Sequence, residues 1–354
     1  MNVVMVSRVT MNPYVHLLGG ALEEVEPGLT CTYQDAFDPS VVAHWRGKAD
    51  VFHLHWPEVL LRSRSRLRSS RKLADLVVAL AQARQASIAL VYTAHNVQHH
   101  DDAGLLERLA AGALYRMADA VHVHDDEARR DLLAHHRPRR VAVIAHGSYI
   151  GAYPDTCSRG EARQKLGMPL DAFVFLALGQ VRPYKGLDDL IAAFRALPGA
   201  NLRLLIAGHP HDPGYGATLA REAALDDRIR LDLQYVADDA IQYYMRAADV
   251  CVLPYRSGTT SGAAILALSF GRPVIAPDVW PFRPLLAGGG GMLYADQQEG
   301  LQQALATALG MDVHQAGAAA LALARSLDWR SIARQHLEVY KEVAKLQMNT
   351  DAHT

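Results

Sequence analysis

Cysteine is scarce in this chain of 354 residues. Only Cys31, Cys157 and Cys251 occur, at spacings that fit neither a metal site nor a redox pair. A disulfide framework is thereby excluded, and a reducing compartment is expected. Long apolar runs are missing too, since no stretch approaches the ~20 residues a membrane-spanning helix needs. Met1 to Val9 is short, broken by polar residues and without a basic start, so no secretory signal peptide is expected. Charge of one sign is absent as well. Lys and Arg number 36 against 37 Asp and Glu, and a net charge of -1 argues against a protein built mainly to grip nucleic acid. No tandem repeat occurs at solenoid spacing. What remains is 50% hydrophobic and 21% charged, and too long for one core, so two domains are expected.

The most informative stretch runs from Ala248 to Pro277. Ala248 to Leu253 is an apolar run of strand length, and Tyr255 to Gly262 is rich in Gly, Ser and Thr. An apolar helix spans Ala263 to Phe270, Gly271 stops it, and Pro273 to Ala276 begins the next strand. A small-residue loop that opens a helix presents unpaired backbone N–H groups at the positive end of the helix dipole, which suits phosphate. The hydroxyls of Ser257, Thr259, Thr260 and Ser261, around Gly258, add donors. An ordinary polar-capped strand-to-helix turn fits the same residues.

Similar units run through the chain. Strands are expected at Asn2–Ser7, Ala49–Leu54, Ser87–Tyr92, Ala120–Val123 and Val141–Ile144, with helices at Tyr14–Glu24, Leu73–Ala83, Ala103–Met117 and Asp126–Ala134. Asn12 and Pro13 supply a favoured cap and first position for the first helix. After a linker at Gly151–Cys157, Ser158 and Glu161 form a capping box. Strands follow at Phe173–Leu178, Leu202–Ala207, Ile229–Leu233 and Met292–Tyr294, with helices at Leu187–Leu197 and Asp238–Ala247. Asp328 caps a last helix, Trp329 to about Leu346, and Asn349–Thr354 reads as a frayed tail. Strands alternating with helices predict parallel sheets covered on both faces. The expected domains are 1–150, 151–328, and a C-terminal helix and tail, 329–354, packing back toward the first. The polar and Gly-rich segments follow strands, so they lie at the carboxyl ends of the sheets, where open α/β sheets bind ligands.

Two basic clusters break the charge balance. Arg62, Arg64, Arg66, Arg68, Arg71 and Lys72 crowd together before the apolar part of one helix, and Arg137, Arg139 and Arg140 form the second. A solvated face is the plain reading. The functional one is contact with anionic lipid or an anionic acceptor, at about 1 kcal/mol per basic residue near such a membrane.

In Asn12-Pro-Tyr14, Leu54-His-Trp-Pro-Glu58, His95-Asn96 with His100-Asp101, His146-Gly147, Arg182-Pro-Tyr-Lys-Gly186, Leu253-Pro-Tyr255, Ser257-Gly-Thr259, Ala267-Leu-Ser269 and Arg272-Pro-Val274, the chain resembles a family along nearly its full length. It is similar to GT-B glycosyltransferases related to family 4, most of all the xanthan-type β-1,4-mannosyltransferases (GumI-like). The resemblance implies an α/β fold of two Rossmann-like parallel-sheet domains facing a cleft. It implies transfer of a hexose from a nucleotide diphosphate sugar, GDP-mannose first, to a saccharide or lipid-linked saccharide. The first domain would hold the acceptor and the second the donor. No cofactor and no bound metal would be needed, the nucleotide sugar being a substrate. The protein would be cytoplasmic, or peripheral on the inner face of the membrane, with no nucleic-acid partner.

The chemistry of a departing diphosphate fits Arg182 and Lys185 in one βα loop, since its charge must be met by Arg, Lys and helix N-termini. Donor-binding candidates are Asn12, Tyr14, His95, His146, Arg182, Lys185, His209, Tyr235 and the Ser257–Ser261 loop. Of these, the resemblance implies that His95 contacts the donor sugar and that Tyr235-Val236 lines the base pocket. Family 4 enzymes usually carry two glutamates, one on the donor sugar and one on the ribose; here Gly258 and Leu266 stand in their places. Gln180 matches the usual Arg of the other phosphate loop. These departures favour an inverting transfer, which needs a base for the acceptor hydroxyl. Asp101 is the first candidate, with Glu58 and His100 after it, and Asp102 is also present. His53 and His55, two apart on one strand face, read as inward-facing; with His99 and His100 they could instead hold a metal. His122 and His124 read as structural. Other readings are a retaining transferase using a UDP-sugar, a nucleotide-sugar epimerase, and a catalytically silent nucleotide-sugar-binding protein.

Overall fold

The computed structural model of the chain describes residues 1–9, 12–57, 59, 65–95, 97, 104–257, 261–295 and 298–351, with no side chain described for 66, 298 and 346–351. The chain divides into two compact units, Met1–Gly147 with Leu327–Thr354, and Ser148–Ser326.

The first unit is built on six parallel strands: β1 (Asn2–Val6), β2 (Thr30–Gln34), β3 (Val51–His55), β4 (Ala89–Thr93), β5 (Ala120–Val123) and β6 (Val141–Val143), in the order β2-β1-β3-β4-β5-β6. Strands β3, β4 and β5 are buried along their whole length, as a sheet covered on both faces requires. Helices α1 (Tyr14–Val25), α2 (Pro39–Trp45), α3 (Arg66–Gln85), α4 (Leu105–Met117) and α5 (Asp126–His135) connect them. The C-terminal helix (Trp329–Asp351) lies against α1 and β4 and places Ile332, Ala333, Leu337, Tyr340 and Val343 in this unit's core.

The second unit repeats the plan with β7 (Phe173–Leu178), β8 (Leu202–Ala207), β9 (Ile229–Asp232), β10 (Val250–Val252), β11 (Val274–Pro277) and β12 (Gly291–Tyr294), ordered β12-β11-β10-β7-β8-β9 and parallel throughout. Its helices include α6 (Arg159–Lys165), α7 (Leu187–Arg195), α8 (Pro213–Ala223), α9 (Ile241–Ala247) and α10 (Gly262–Ser269). The order reverses direction between β7 and β10, and in the first unit between β1 and β3. Loops at the carboxyl ends of those strand pairs flank the crevice where such sheets take ligands.

Several elements differ from expectation. Strand β2 was not expected: Thr30-Cys-Thr-Tyr-Gln34 is an edge strand of mixed exposure, so it shows no continuous apolar run. Helices α2 and α8 were also not expected, although each opens on Asp-Pro with the Asp side chain capping the helix, Asp38 onto Ser40 N and Asp212 onto Gly214 N. Helix α3 begins at Arg66 rather than Leu73, so Arg68, Arg71 and Lys72 lie on the helix instead of preceding it. Arginine and lysine are good helix formers, and they extend the helix through the charged segment. Arg62 and Arg64 lie outside the described residues. The last helix continues to Asp351, past the expected start of the tail.

Candidate active site

In the second unit, the loops that follow β7 and β10 lock together. Arg256 makes ion pairs with Asp188 and Asp189 at 2.7 Å each and donates to the Pro183 carbonyl at 3.1 Å. Its backbone N–H donates to Tyr184 O at 2.8 Å. Gly186 has φ +63, and a methyl there would overlap the carbonyl oxygen of Pro254. The loop after β8 joins from the other side. Val181 N–H donates to His209 O and His211 N–H to Val181 O, both at 3.0 Å, while Gly208 lies so close over Gly179 that a side chain there would overlap its carbonyl.

This frame fixes two cations. Arg182 is half-buried, and its Nε donates to Gln180 Oε1 at 3.2 Å. Lys185 is half-buried, with Nζ 5.3 Å from the centre of the Tyr255 ring. Burial lowers its pKa, nearby Tyr184 opposes the fall and Arg182 adds to it. Neither cation has an ion-pair partner among the described residues, so both can meet an anion. Helix α10 starts beside them, capped by Ser261, whose hydroxyl accepts from Ala264 N at 3.2 Å. Ser257 is exposed at the other end of the loop, and Gly258, Thr259 and Thr260 lie outside the described residues. Leu266, on α10, is half-buried and packs on the apolar core. His209 and Tyr235 follow β8 and β9 with exposed rings, Tyr235 at 53%. Arg256 escaped the sequence reading; its place directly after Leu253-Pro-Tyr255 was the available signal.

The first unit is marked chiefly by histidine. Among the described residues seven are buried: His53, His55, His95, His122, His124, His146 and His336. Two hydrogen-bonded chains converge on the carbonyl of Ile144, and because a carbonyl can only accept, it fixes every proton along both. His122 Nε2–H donates to it at 2.7 Å, which leaves Nδ1 to accept the Thr93 hydroxyl at 2.9 Å. Thr93 Oγ1 accepts from His53 Nε2–H at 2.7 Å, and His53 Nδ1 accepts from the Tyr340 hydroxyl at 2.6 Å. In the second chain His124 Nδ1–H donates to Ile144 O at 3.3 Å and its Nε2 accepts from His95 Nδ1–H at 3.2 Å. His95 Nε2 then accepts from His55 Nδ1–H at 3.2 Å. Burial holds all seven well below the ordinary histidine value, to about 3 for His55 and about 4 for His122 and His146, so they are neutral.

A family model described as glycosyl transferases group 1 matches residues 172–310. The GDP-mannose:glycolipid 4-beta-D-mannosyltransferase of Xanthomonas campestris pv. campestris is 31% identical over 266 residues, covering 75% of this chain and 70% of its own. The chain belongs to the group 1 glycosyltransferases. A D-inositol 3-phosphate glycosyltransferase of Corynebacterium glutamicum is 30% identical over 292 residues, covering 75% of this chain and 69% of its own. Among solved structures, Anabaena HepE in complex with UDP superposes with a TM-score of 0.74 at 19% identity, covering 97% of this chain and 100% of its own. WaaG, a glycosyltransferase involved in lipopolysaccharide biosynthesis, gives 0.69 at 17% identity over 96% and 99%. These likenesses, with the two parallel sheets, establish the GT-B fold.

In this glycosyltransferase the second unit gathers Arg182, Lys185, Ser257 and Ser261 at the switch between β7 and β10. The first unit treats its expected donor contacts differently. Tyr14 is fully buried and packs its ring against His55, Trp56, His95, His124, His146 and Trp329, so its side chain has no surface to offer a sugar. Both ring nitrogens of His95 are taken by His55 and His124, and its face stacks on Trp56 at 3.8 Å, so the arrangement leaves no ring nitrogen for a donor sugar. His146 is buried, with Nδ1–H donating to the Gly147 carbonyl at 2.7 Å. Asn12 Oδ1 accepts from Tyr14 N at 3.0 Å, a capping role. Glu58, Asn96, His99, His100, Asp101 and Asp102 lie outside the described residues.

Proposed function

We propose that this glycosyltransferase moves mannose from GDP-mannose to a saccharide or lipid-linked saccharide acceptor, with inversion and without a metal in the transfer step. The observation that carries the reading is the 31% identity to a GDP-mannose:glycolipid 4-beta-D-mannosyltransferase over most of both chains. The site supports it chemically. Two cations without carboxylate partners among the described residues sit beside the start of α10, where the negative charge of a leaving diphosphate would be met by side chains and backbone N–H groups together. In this reading the second unit holds the donor and the first the acceptor, and Asp101 takes the acceptor proton, with Glu58 and His100 as the other candidates.

Contact with an anionic membrane surface belongs to the same proposal. Helix α3 carries exposed Arg68 and Arg71 beside Leu67, which is 80% exposed, and α4 adds Leu105 at 72% and Leu109 at 50%. Basic residues interleaved with exposed leucines suit a leaflet of anionic lipid. No helix among the described residues is long and apolar enough to cross a membrane.

A UDP-sugar donor with retention is the second reading, and the complex of HepE with UDP is the observation that favours its nucleotide. The deciding experiment supplies GDP-mannose and several UDP-sugars to the protein with a membrane lipid extract, and follows nucleoside diphosphate release and the anomeric configuration of the product. GDP release with a β-linked mannose supports the proposal. UDP release or an α-linked product overturns it, and the two together favour the second reading.

A further inference from the structure

We propose that the core of the first unit holds a site for a late first-row divalent metal ion, of which zinc is the type, formed by His53, His122 and His336. The three come from β3, β5 and the C-terminal helix, all have no exposed surface, and each offers a ring nitrogen within 4.8 Å of the others. In a tetrahedral zinc site, with bonds of about 2.0–2.1 Å, such nitrogens lie roughly 3.4 Å apart. Closing that difference is within the reach of side-chain rotation.

Two of the ligands are already held from outside as metal-binding histidines are. His122 donates Nε2–H to a backbone carbonyl, and His53 Nδ1 is bonded to the Tyr340 hydroxyl. Outer partners of this kind fix the orientation of a ligating ring. Their other nitrogens, His122 Nδ1 and His53 Nε2, converge on one point, the hydroxyl of Thr93, at 2.9 and 2.7 Å. That hydroxyl is at hand as a fourth oxygen ligand, and His53 would shift its proton to Nδ1 and donate to Tyr340 as it coordinates. The third ligand is the independent observation. His336 is fully buried, and neither Nδ1 nor Nε2 has a hydrogen-bond partner among the described residues. A buried imidazole with both nitrogens unmet is costly, and a metal ion would give it a partner. The chemistry of the set also selects the ion. Three neutral imidazoles and no carboxylate suit zinc, cobalt, nickel or copper and disfavour magnesium and calcium, which need oxygen ligands. Such an ion would clamp the C-terminal helix to the sheet, independently of donor and acceptor.

The test uses the full-length protein, stripped with a chelator, refolded with zinc or magnesium chloride and then desalted. Bound metal is measured by plasma mass spectrometry and the melting temperature by calorimetry. Wild type and His314→Gln, which alters an exposed histidine, are expected to retain stoichiometric zinc and to melt several degrees higher with zinc than with magnesium. His336→Leu is expected to fold, retain no zinc and show no such rise. Cobalt in place of zinc should give wild type the intense visible bands of a tetrahedral ion, which keeps the test decisive if His336→Leu misfolds. Wild type without retained zinc, equal retention by His336→Leu, or an octahedral cobalt spectrum would each overturn the proposal. None of these readings involves sugar transfer, so failure here and failure of the proposed activity are distinguishable.

Discussion

Replacing Arg163 by Met should be among the most damaging single changes in the second unit. The guanidinium is fully buried and donates to four carbonyls: Ala247 at 3.0 Å, Pro169 at 3.1 Å, Leu170 at 2.7 Å and Ala172 at 2.8 Å. It also pairs with Asp249 Oδ2 at 2.8 Å, an oxygen that accepts from Val174 N at 2.8 Å. One side chain thereby ties α6 to the starts of β7 and β10. Met fills similar space and meets none of these acceptors. Breaking a buried ion pair on one side costs about 3–5 kcal/mol, because the partner charge is stranded. Arg159 still reaches Asp249 Oδ1 at 2.6 Å, so the lower end, about 3 kcal/mol, is expected. Urea unfolding followed by circular dichroism measures it. The double variant Arg163→Met with Asp249→Asn should lose less than the sum of its parts, since each single change already breaks the pair. A loss for Arg163→Met below about 1 kcal/mol, the worth of one ordinary hydrogen bond, would refute the reasoning and mean that water replaces the guanidinium.

Acid should destabilise the first unit. His146 titrates near 4 when folded against 6.5 for the free side chain, so the folded state binds fewer protons; its contribution is complete above pH 6.5 and lost as the pH falls toward 4. His146 alone accounts for about 3 kcal/mol over that window, and denaturation midpoints that do not move between pH 7 and pH 4.5 would contradict this. Arg182→Ala and Lys185→Ala should each weaken nucleoside diphosphate binding about 10- to 150-fold, the equivalent of one charge-assisted hydrogen bond of ~1.5–3 kcal/mol, by titration calorimetry; unchanged affinity would move the phosphate site elsewhere. Gly186→Ala should cost at least the ~1–2 kcal/mol of a left-handed backbone, and should also loosen nucleotide binding by parting the β7 and β10 loops; a melting temperature equal to wild type would argue against that lock. Tyr340→Phe should lose about 1–3 kcal/mol in urea unfolding because His53 Nδ1 is left buried without its partner, and a neutral result would show that this hydrogen bond does not hold the chain together.

The second unit was the more legible of the two. Strands β7 and β8 are largely apolar runs that stop at Gly179 and Gly208, and Ser261 opens an apolar helix, so these elements and the loops that carry Arg182 and Lys185 could be placed from their neighbours alone. The edge strand β2 could not, because an edge carries no buried run. Nor could the fate of Tyr14 and His95. Both sit in motifs at the carboxyl ends of the first sheet, yet the residues that enclose them arrive from distant parts of the chain, Trp329 among them. Local patterning reports where a side chain starts, not what long-range packing closes over it. The histidine chains illustrate the same limit. Period-two spacing puts His53 with His55 and His122 with His124 on one face, but the Ile144 carbonyl that orders their protons is a tertiary fact.

The C-terminal helix has a consequence for how the protein is made. The first unit's core is unfinished until Ile332, Ala333, Leu337 and Tyr340 arrive, and the whole of Ser148–Ser326 is synthesised in the interval. At roughly 5–20 residues per second that interval is on the order of ten to a few tens of seconds. During it the nascent first unit presents an apolar face and a row of neutral histidines to the surroundings, while the second unit, whose segment is continuous, can fold on emergence. Order of completion is therefore opposite to order of translation, and a chain released just short of residue 329 would carry a finished second unit attached to an unfinished first.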